Sequence, residues 1–142
     1  MTKKVLLVDD EEEFLELMAE RMRARQMTVT TSTSAADALK QIATGAYDAV
    51  VMDFLMPGID GIEAIKTIKA NAPETQIILL TGYATVEKSV EAMKAGAMDF
   101  VEKPVNIDAL AEKIKKAHNQ KAFIIEKKNQ DRIIEALRKF GM

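Results

Sequence analysis

Ala49-Val50-Val51-Met52 is an unbroken apolar run that stops on an aspartate, Asp53, with Pro57-Gly58 and Asp60-Gly61 close behind. A run this short, bounded by turn residues, suits a strand buried on both faces, the habit of a parallel sheet covered by helices. Asp53 then stands at the strand's carboxyl end, facing a loop, which is where ligands bind in open α/β sheets. Aspartate at such a place often caps the next helix. Asp60 suits that task better, with Glu63 three residues on as a capping-box partner, so Asp53 is left for another use.

The same unit recurs along the chain. Val5 to Val8 is an apolar strand followed at once by Asp9, Asp10, Glu11, Glu12 and Glu13. Helix one carries Phe14, Met18 and Met22 on one stripe with Leu15 beside it, and is expected to end near Gln26. Met27 to Thr31 alternates weakly and is polar enough for a strand near an edge. The hydroxyl run Thr30 to Ser34 could hold a phosphate, as in flavin-nucleotide proteins, but Ser34 with Asp37 three residues on fits a helix cap better. That second helix turns Ala35, Ala38, Leu39 and Ile42 inward and stops at Gly45. Helix three carries Ile62, Ile65 and Ile68 and is closed off by Pro73. Gln76 to Leu80 is strand four, ending on Thr81-Gly82. Helix four runs from about Thr85 to Ala95, with Val86, Val90 and Met93 inward and Gly96 as its stop. Asp99 to Glu102 is strand five, followed by Lys103-Pro104 and a fifth helix from about Asn106. Five β-α repeats with short connections mean a parallel sheet with helices on both faces and right-handed crossovers.

Four strand ends therefore bring Asp9/Asp10, Asp53, Thr81 and Lys103 to one edge. Each alone is ordinary: a cap, a turn, a surface lysine. Glu11, Glu12 and Glu13 suit the positive end of the helix they open. Carboxylates gathered at one edge, however, repel unless a cation joins them, and hard oxygen ligands suit Mg²⁺. Acids for a metal, one more as nucleophile, and a hydroxyl and an ammonium for phosphoryl oxygens make up one chemistry. Phosphoryl transfer needs little beyond positioning and charge neutralisation, and carboxylates serve as nucleophiles in it.

The segments V-D-D (8–10), D-F-L-M-P-G-I-D-G (53–61), L-L-T-G (79–82) and D-F-V-E-K-P-V (99–105) resemble the receiver domain of bacterial two-component response regulators. A-M-K-A-G-A-M-D-F-V-E-K-P (92–104) resembles receivers of the nitrogen-regulation type. The resemblance spans residues 4 to about 118. It implies a flavodoxin-like five-stranded parallel sheet of order 2-1-3-4-5, with five helices in a three-layer sandwich, as a receiver domain over residues 1–120. It implies a signalling module rather than an enzyme, catalysing only its own phosphorylation and dephosphorylation. Asp53 would be the phosphoacceptor, supplied by a sensor histidine kinase or phosphotransfer protein. Asp10 and Asp53 would bind Mg²⁺ directly with the main-chain carbonyl of Leu55, and Asp9 would help through water. Lys103 would pair with the phosphoryl group, and its bond to Pro104 is typically cis in the family. Thr81 would move to bond a phosphoryl oxygen, and Phe100 would turn inward as an aromatic switch, although core packing also accounts for a phenylalanine there. Helix four is the expected reporter of the switch. Leu55 stands where the family often has a polar residue, and Tyr83 stands two residues after Thr81. Both flank the path of hydrolytic water, so a slowly decaying phosphoryl aspartate is expected.

Residues 107–140 could form one helix about 50 Å long. Ile107, Leu110, Ile114 and Ala117 pack inward, Phe123, Ile124 and Ile125 make a short apolar cluster, and Glu126 to Arg132 is fully polar. Ile133, Ile134, Leu137 and Phe140 then form a second amphipathic face. Residues 121–142 thus read as a helical extension that either lies on the domain or binds a second copy or a partner; the polar gap argues against a clean heptad coiled coil. A homodimer through helix four to helix five, or through this extension, is an expected assembly. The extension holds six Lys/Arg against three Asp/Glu, a solvated helix face rather than a nucleic-acid patch. His118 reads as a solvated residue near a helix end, not a phosphocarrier. The extension is too short for a DNA-binding domain or an ATPase, so the output is an unidentified downstream protein or an effector domain of a longer regulator. There is no cysteine, which excludes disulfides and thiolate sites. No apolar run approaches a membrane span, and the N-terminus is too short before its aspartates for a signal peptide, so a cytoplasmic location is expected. A flavin or nucleotide enzyme on the same fold is disfavoured by acids where a phosphate would sit. A phosphate-independent interaction domain is disfavoured by the complete set Asp10, Asp53, Thr81 and Lys103. A phosphatase is disfavoured because no acid stands two residues after Asp53.

Overall fold

Apolar runs alternate with amphipathic segments, and each becomes an element: β1 (Lys4–Val8), α1 (Glu12–Arg23), β2 (Thr28–Ser32), α2 (Ala35–Thr44), β3 (Ala49–Asp53), α3 (Gly61–Asn71), β4 (Gln76–Thr81), α4 (Val86–Ala95), β5 (Asp99–Glu102) and α5 (Ile107–Lys139). The computed structural model describes residues 2–56, 58, 60–82 and 86–141, with Val86 in its backbone only. Pro57, Tyr83, the Thr85 helix start and the inward placement of Val86 lie outside the described residues.

The strands form one parallel sheet in the order β2-β1-β3-β4-β5. Every residue of β3 and β4 is buried, as runs covered on both faces require. β2 lies at an edge and alternates in burial, matching its polar sequence. Side chains alternate across a strand, so the sheet separates two cores. Val5, Leu7, Ala49, Val51, Ile78, Leu80 and Val101 face α1 and α5. Leu6, Val8, Val50, Met52, Ile77 and Leu79 face α2, α3 and α4.

Local chemistry ends the helices where expected. Ser34 Oγ accepts from the Asp37 amide at 3.1 Å, and Asp60 Oδ1 accepts from Ile62 at 2.9 Å and Glu63 at 3.4 Å; each such cap is worth about 1 kcal/mol. Ser32 Oγ lies 2.8 Å from Asp37 Oδ2 and 2.9 Å from the Ser34 carbonyl oxygen, and its one hydrogen is shared between these acceptors, so Ser32 and Ser34 are spent within the chain. Gly96 stops α4 at φ +123°, a conformation that favours glycine.

Three expectations are corrected. Leu15 rather than Phe14 joins Met18, Ala19 and Met22 among the fully buried residues of α1, and Phe14 packs half-buried at the edge of that core. In α4, Val90 and Met93 are 46% and 43% exposed, whereas Ala92 is buried. Ala92 lies about 200° around the helix from Val90, and the small residue lets α4 sit close to α3. His118 is not near a helix end: α5 runs on to Lys139, and the His118 Nδ1 is buried 3.1 Å from Asp48 Oδ1.

Leu110, Ile114 and Ala117 bury the first part of α5. Lys121 and Lys128 reach Asp48 and Glu74 at 3.9 and 3.7 Å. From Ile125 to Gly141 every described residue is exposed, including Ile133, Ile134, Leu137 and Phe140. The extension is thus a continuation of α5, with its second apolar face uncovered.

Gly61 opens α3 against Phe54. A Cβ there would collide with the Phe54 ring and lie 2.9 Å from the Phe54 carbonyl oxygen. Gly61→Ala is therefore expected to lower stability by about 1–3 kcal/mol, seen as a lower urea midpoint with an unchanged slope.

Candidate functional site

The site follows from where the strands end. Alternation places Asp9, Asp53 and Lys103 on the α1/α5 side, continuing Leu7, Val51 and Val101, and Thr81 on the opposite side, continuing Leu79. The backbone ties these ends together beyond the strands. The Asp9 amide donates to the Ser32 carbonyl at 3.1 Å, the Phe54 amide to Leu80 at 3.0 Å, and the Lys103 amide to Thr81 at 2.8 Å.

Asp9 is fully buried. Its Oδ1 accepts from the Glu11 amide at 2.9 Å, and its Oδ2 accepts from Lys103 Nζ at 2.8 Å. Asp53 is also buried; its Oδ1 accepts from the Leu55 amide at 3.0 Å, and its Oδ2 lies 3.4 Å from Lys103 Nζ. Asp10 is exposed. The carboxylates of Asp9, Asp10 and Asp53 offer ligand atoms all within 4.8 Å of one another. Three hard oxygen donors this close fit a hard divalent cation such as Mg²⁺.

Thr81 is buried, and its Oγ1 has no hydrogen-bond partner among the described residues. A buried hydroxyl left unpaired costs about 1–3 kcal/mol, and this one can bond an oxygen brought to the site. Phe100 is half-buried and packs against the α2-α3-α4 core, on the same side of the sheet as Thr81. The Leu55 side chain is 61% exposed. The Lys103–Pro104 bond is cis.

Two residues join the site that sequence reasoning had given other tasks. Glu11 Oε1 lies 3.7 Å from Lys103 Nζ, and the Phe14 ring lies 4.4 Å from the same ammonium. The signal for Glu11 was its place directly after Asp9-Asp10. For Phe14 no signal stands out in the sequence, because an apolar residue on the α1 stripe reads as core. Burial opposes the charge on Lys103, but its hydrogen bond to Asp9 and the charges of Asp53 and Asp9 outweigh that and raise its pKa above the ordinary lysine value.

A family model for the response regulator receiver domain matches residues 5–115. The transcriptional regulatory protein ZraR of Salmonella typhimurium is 37% identical over 113 residues, which is 80% of this chain and 26% of that regulator. The chain thus spans about a quarter of the length of this curated relative. A CheY-like receiver domain protein from Methanospirillum hungatei superposes with a TM-score of 0.80 at 29% identity, over 86% of this chain and 98% of that one. A beryllofluoride-activated NtrC4 receiver domain dimer superposes with a TM-score of 0.79 at 32% identity, over 84% and 99%.

The raised pKa of Lys103 gives a signed test. Its ion pairs contribute stability below about pH 10.4, the unfolded lysine value, and that contribution is lost as pH rises through the higher folded value. The parent is expected to unfold at higher urea than Lys103→Met, with a steady gap from about pH 7 to 9 that closes only above about pH 10.4.

Proposed function

The chain belongs to the response regulator receiver domain family, the signalling domains of two-component systems, and from that premise we propose that Asp53 is its phosphoacceptor. The observation that carries this is the convergence of Asp53, the Asp9-Asp10 pair and Lys103 at one sheet edge, with the Asp53 carboxylate 3.4 Å from the ammonium.

A carboxylate oxygen of Asp53 attacks the donor's phosphorus. The new O–P bond forms as the bond from phosphorus to the imidazole nitrogen of a histidine kinase or phosphotransfer protein breaks, and the imidazole keeps the electron pair. Receiver domains bind Mg²⁺ at an acidic pocket; here Asp10, Asp53 and the Leu55 main-chain carbonyl would hold it, with Asp9 helping through water. When bound, the ion neutralises the gathered acids and the phosphoryl oxygens. Lys103 supplies the second positive charge. Catalysis extends to the domain's own phosphorylation and dephosphorylation and no further.

The phosphoryl group adds a charge of about −1.5 to −2 and three acceptor oxygens. The Thr81 hydroxyl, unpartnered among the described residues, is drawn toward one of them, and Phe100, on the same side of the sheet, follows inward. α4 shifts as reporter because Thr81 stands at the head of the segment leading to it. Residues 1–120 act as the receiver and 121–142 as a helical extension. The exposed Val90 and Met93 of α4, or the open apolar face of α5, bring two copies together; the NtrC4 receiver dimer supports an assembly of this kind. ZraR's name describes a transcriptional regulator, which supports output through an effector domain of a longer cytoplasmic regulator rather than through direct nucleic-acid contact by this domain.

Intact mass after incubation with Mg²⁺ and a small phosphodonor tests the reading. One phosphoryl adduct is expected in the parent and none in Asp53→Ala; an adduct that survives the substitution refutes the assignment. With Leu55 where the family often has a polar residue and Tyr83 two residues after Thr81 in the sequence, the adduct is expected to outlast seconds in the purified protein with Mg²⁺, followed by mass over time.

A further inference from the structure

We propose that Phe14 is a positioning residue for Lys103: its ring holds the ammonium at the mouth of the site when a divalent cation takes the carboxylate oxygens. The proposal rests on the reading of Asp53 as phosphoacceptor.

The geometry sets up a competition. Lys103 Nζ is held by Asp9 Oδ2 at 2.8 Å and Asp53 Oδ2 at 3.4 Å. Asp9 and Asp53 are also two of the three carboxylates clustered for a cation. A cation bound there competes for the oxygens that hold Lys103. Among the described residues, two other groups are placed to keep the ammonium. Glu11, at 3.7 Å, has a side chain 68% exposed, and exposed ion pairs are weak. The Phe14 ring lies 4.4 Å away, within the range of a cation–π contact.

The ring differs from the acids in a way that matters. A hard divalent cation takes oxygen ligands and has no use for an aromatic face, so the ring is a partner it cannot remove. The contact also occupies one side of the ammonium and leaves N–H groups free for phosphoryl oxygens. Core packing explains Phe14 only in part: its side chain leans on the α1/α5 core, while Leu15 is the fully buried residue of the pair. Phe14 stands half-buried at the head of α1, in a groove with Leu17, Arg21, Pro104 and Val105.

Phe14→Leu keeps apolar bulk but removes the quadrupole, and Phe14→Tyr keeps the ring. The first readout is the proton NMR shift of the Lys103 ε-methylene. It is expected upfield through the ring current, to stay so when Mg²⁺ is added, to be lost in Phe14→Leu and kept in Phe14→Tyr. The second is the rate constant for phosphorylation by phosphoramidate, expected to fall about threefold to tenfold in Phe14→Leu and to recover most of that in Phe14→Tyr. Mg²⁺ affinity by calorimetry is expected to stay within about twofold, since the ring is no ligand. An upfield shift abolished by Mg²⁺ in the parent, a Phe14→Leu rate equal to the parent's, or a Phe14→Tyr rate as low as that of Phe14→Leu overturns the proposal. A parent that takes no phosphoryl group while the shift persists refutes the phosphoacceptor reading, and the positioning role with it, but leaves the ring–ammonium pairing supported.

Discussion

The Lys103 ammonium, 2.8 Å from Asp9 and 3.4 Å from Asp53, answers an electrostatic difficulty that the fold creates for itself. A parallel sheet brings the carboxyl ends of its strands to one edge, and here three of the strand-end residues are acids whose ligand atoms fall within 4.8 Å. Asp9 has no exposure to water at all. A buried carboxylate without a partner is among the most costly groups a protein can hold. The ammonium makes the apo edge tolerable, and it leaves an excess of negative charge that a divalent cation can still satisfy.

Strand alternation divides the remaining labour. Asp9, Asp53 and Lys103 fall on the side of α1 and α5, while Thr81 and Phe100 fall on the side of α2, α3 and α4. The charged groups and the two residues proposed to answer them are thus placed on opposite faces of one sheet. They are coupled where the Lys103 amide bonds the Thr81 carbonyl at 2.8 Å. A change at Asp53 is one residue row from Thr81, because Asp53 pairs in register with Leu80. Under the proposed switch, a charge added at Asp53 would reach α4 over this short distance across the sheet edge rather than by a long path through the core.

Much of this was legible in the chain. The apolar runs announced five strands, Ser34 and Asp60 announced caps that the backbone uses, and the acids after β1 and β3 announced their meeting. Two of the misreadings share one cause. Phe14 and Leu15, or Val90 and Ala92, are equally plausible core residues by type, and hydrophobicity alone assigns the larger one inward. Packing decided otherwise. α4 approaches α3 through the small Ala92, leaving Val90 and Met93 outside. His118 seemed to lie near a helix end because the family resemblance stopped there, but α5 continues and turns that histidine toward Asp48.

What the sequence determined by itself was the set of elements, their order and the residue types at each strand end. Hydrophobic period and turn chemistry act over a few residues and need no partner to be read. Only the tertiary structure decided which oxygens share the Lys103 ammonium, that the Thr81 hydroxyl is buried without a partner among the described residues, that the Phe14 ring stands 4.4 Å from that ammonium, and that the second apolar face of α5 stays open. Each of these depends on groups far apart in the chain meeting at distances of a few ångströms, where ion pairing, desolvation and van der Waals packing change sharply, and no local pattern of residues encodes those distances.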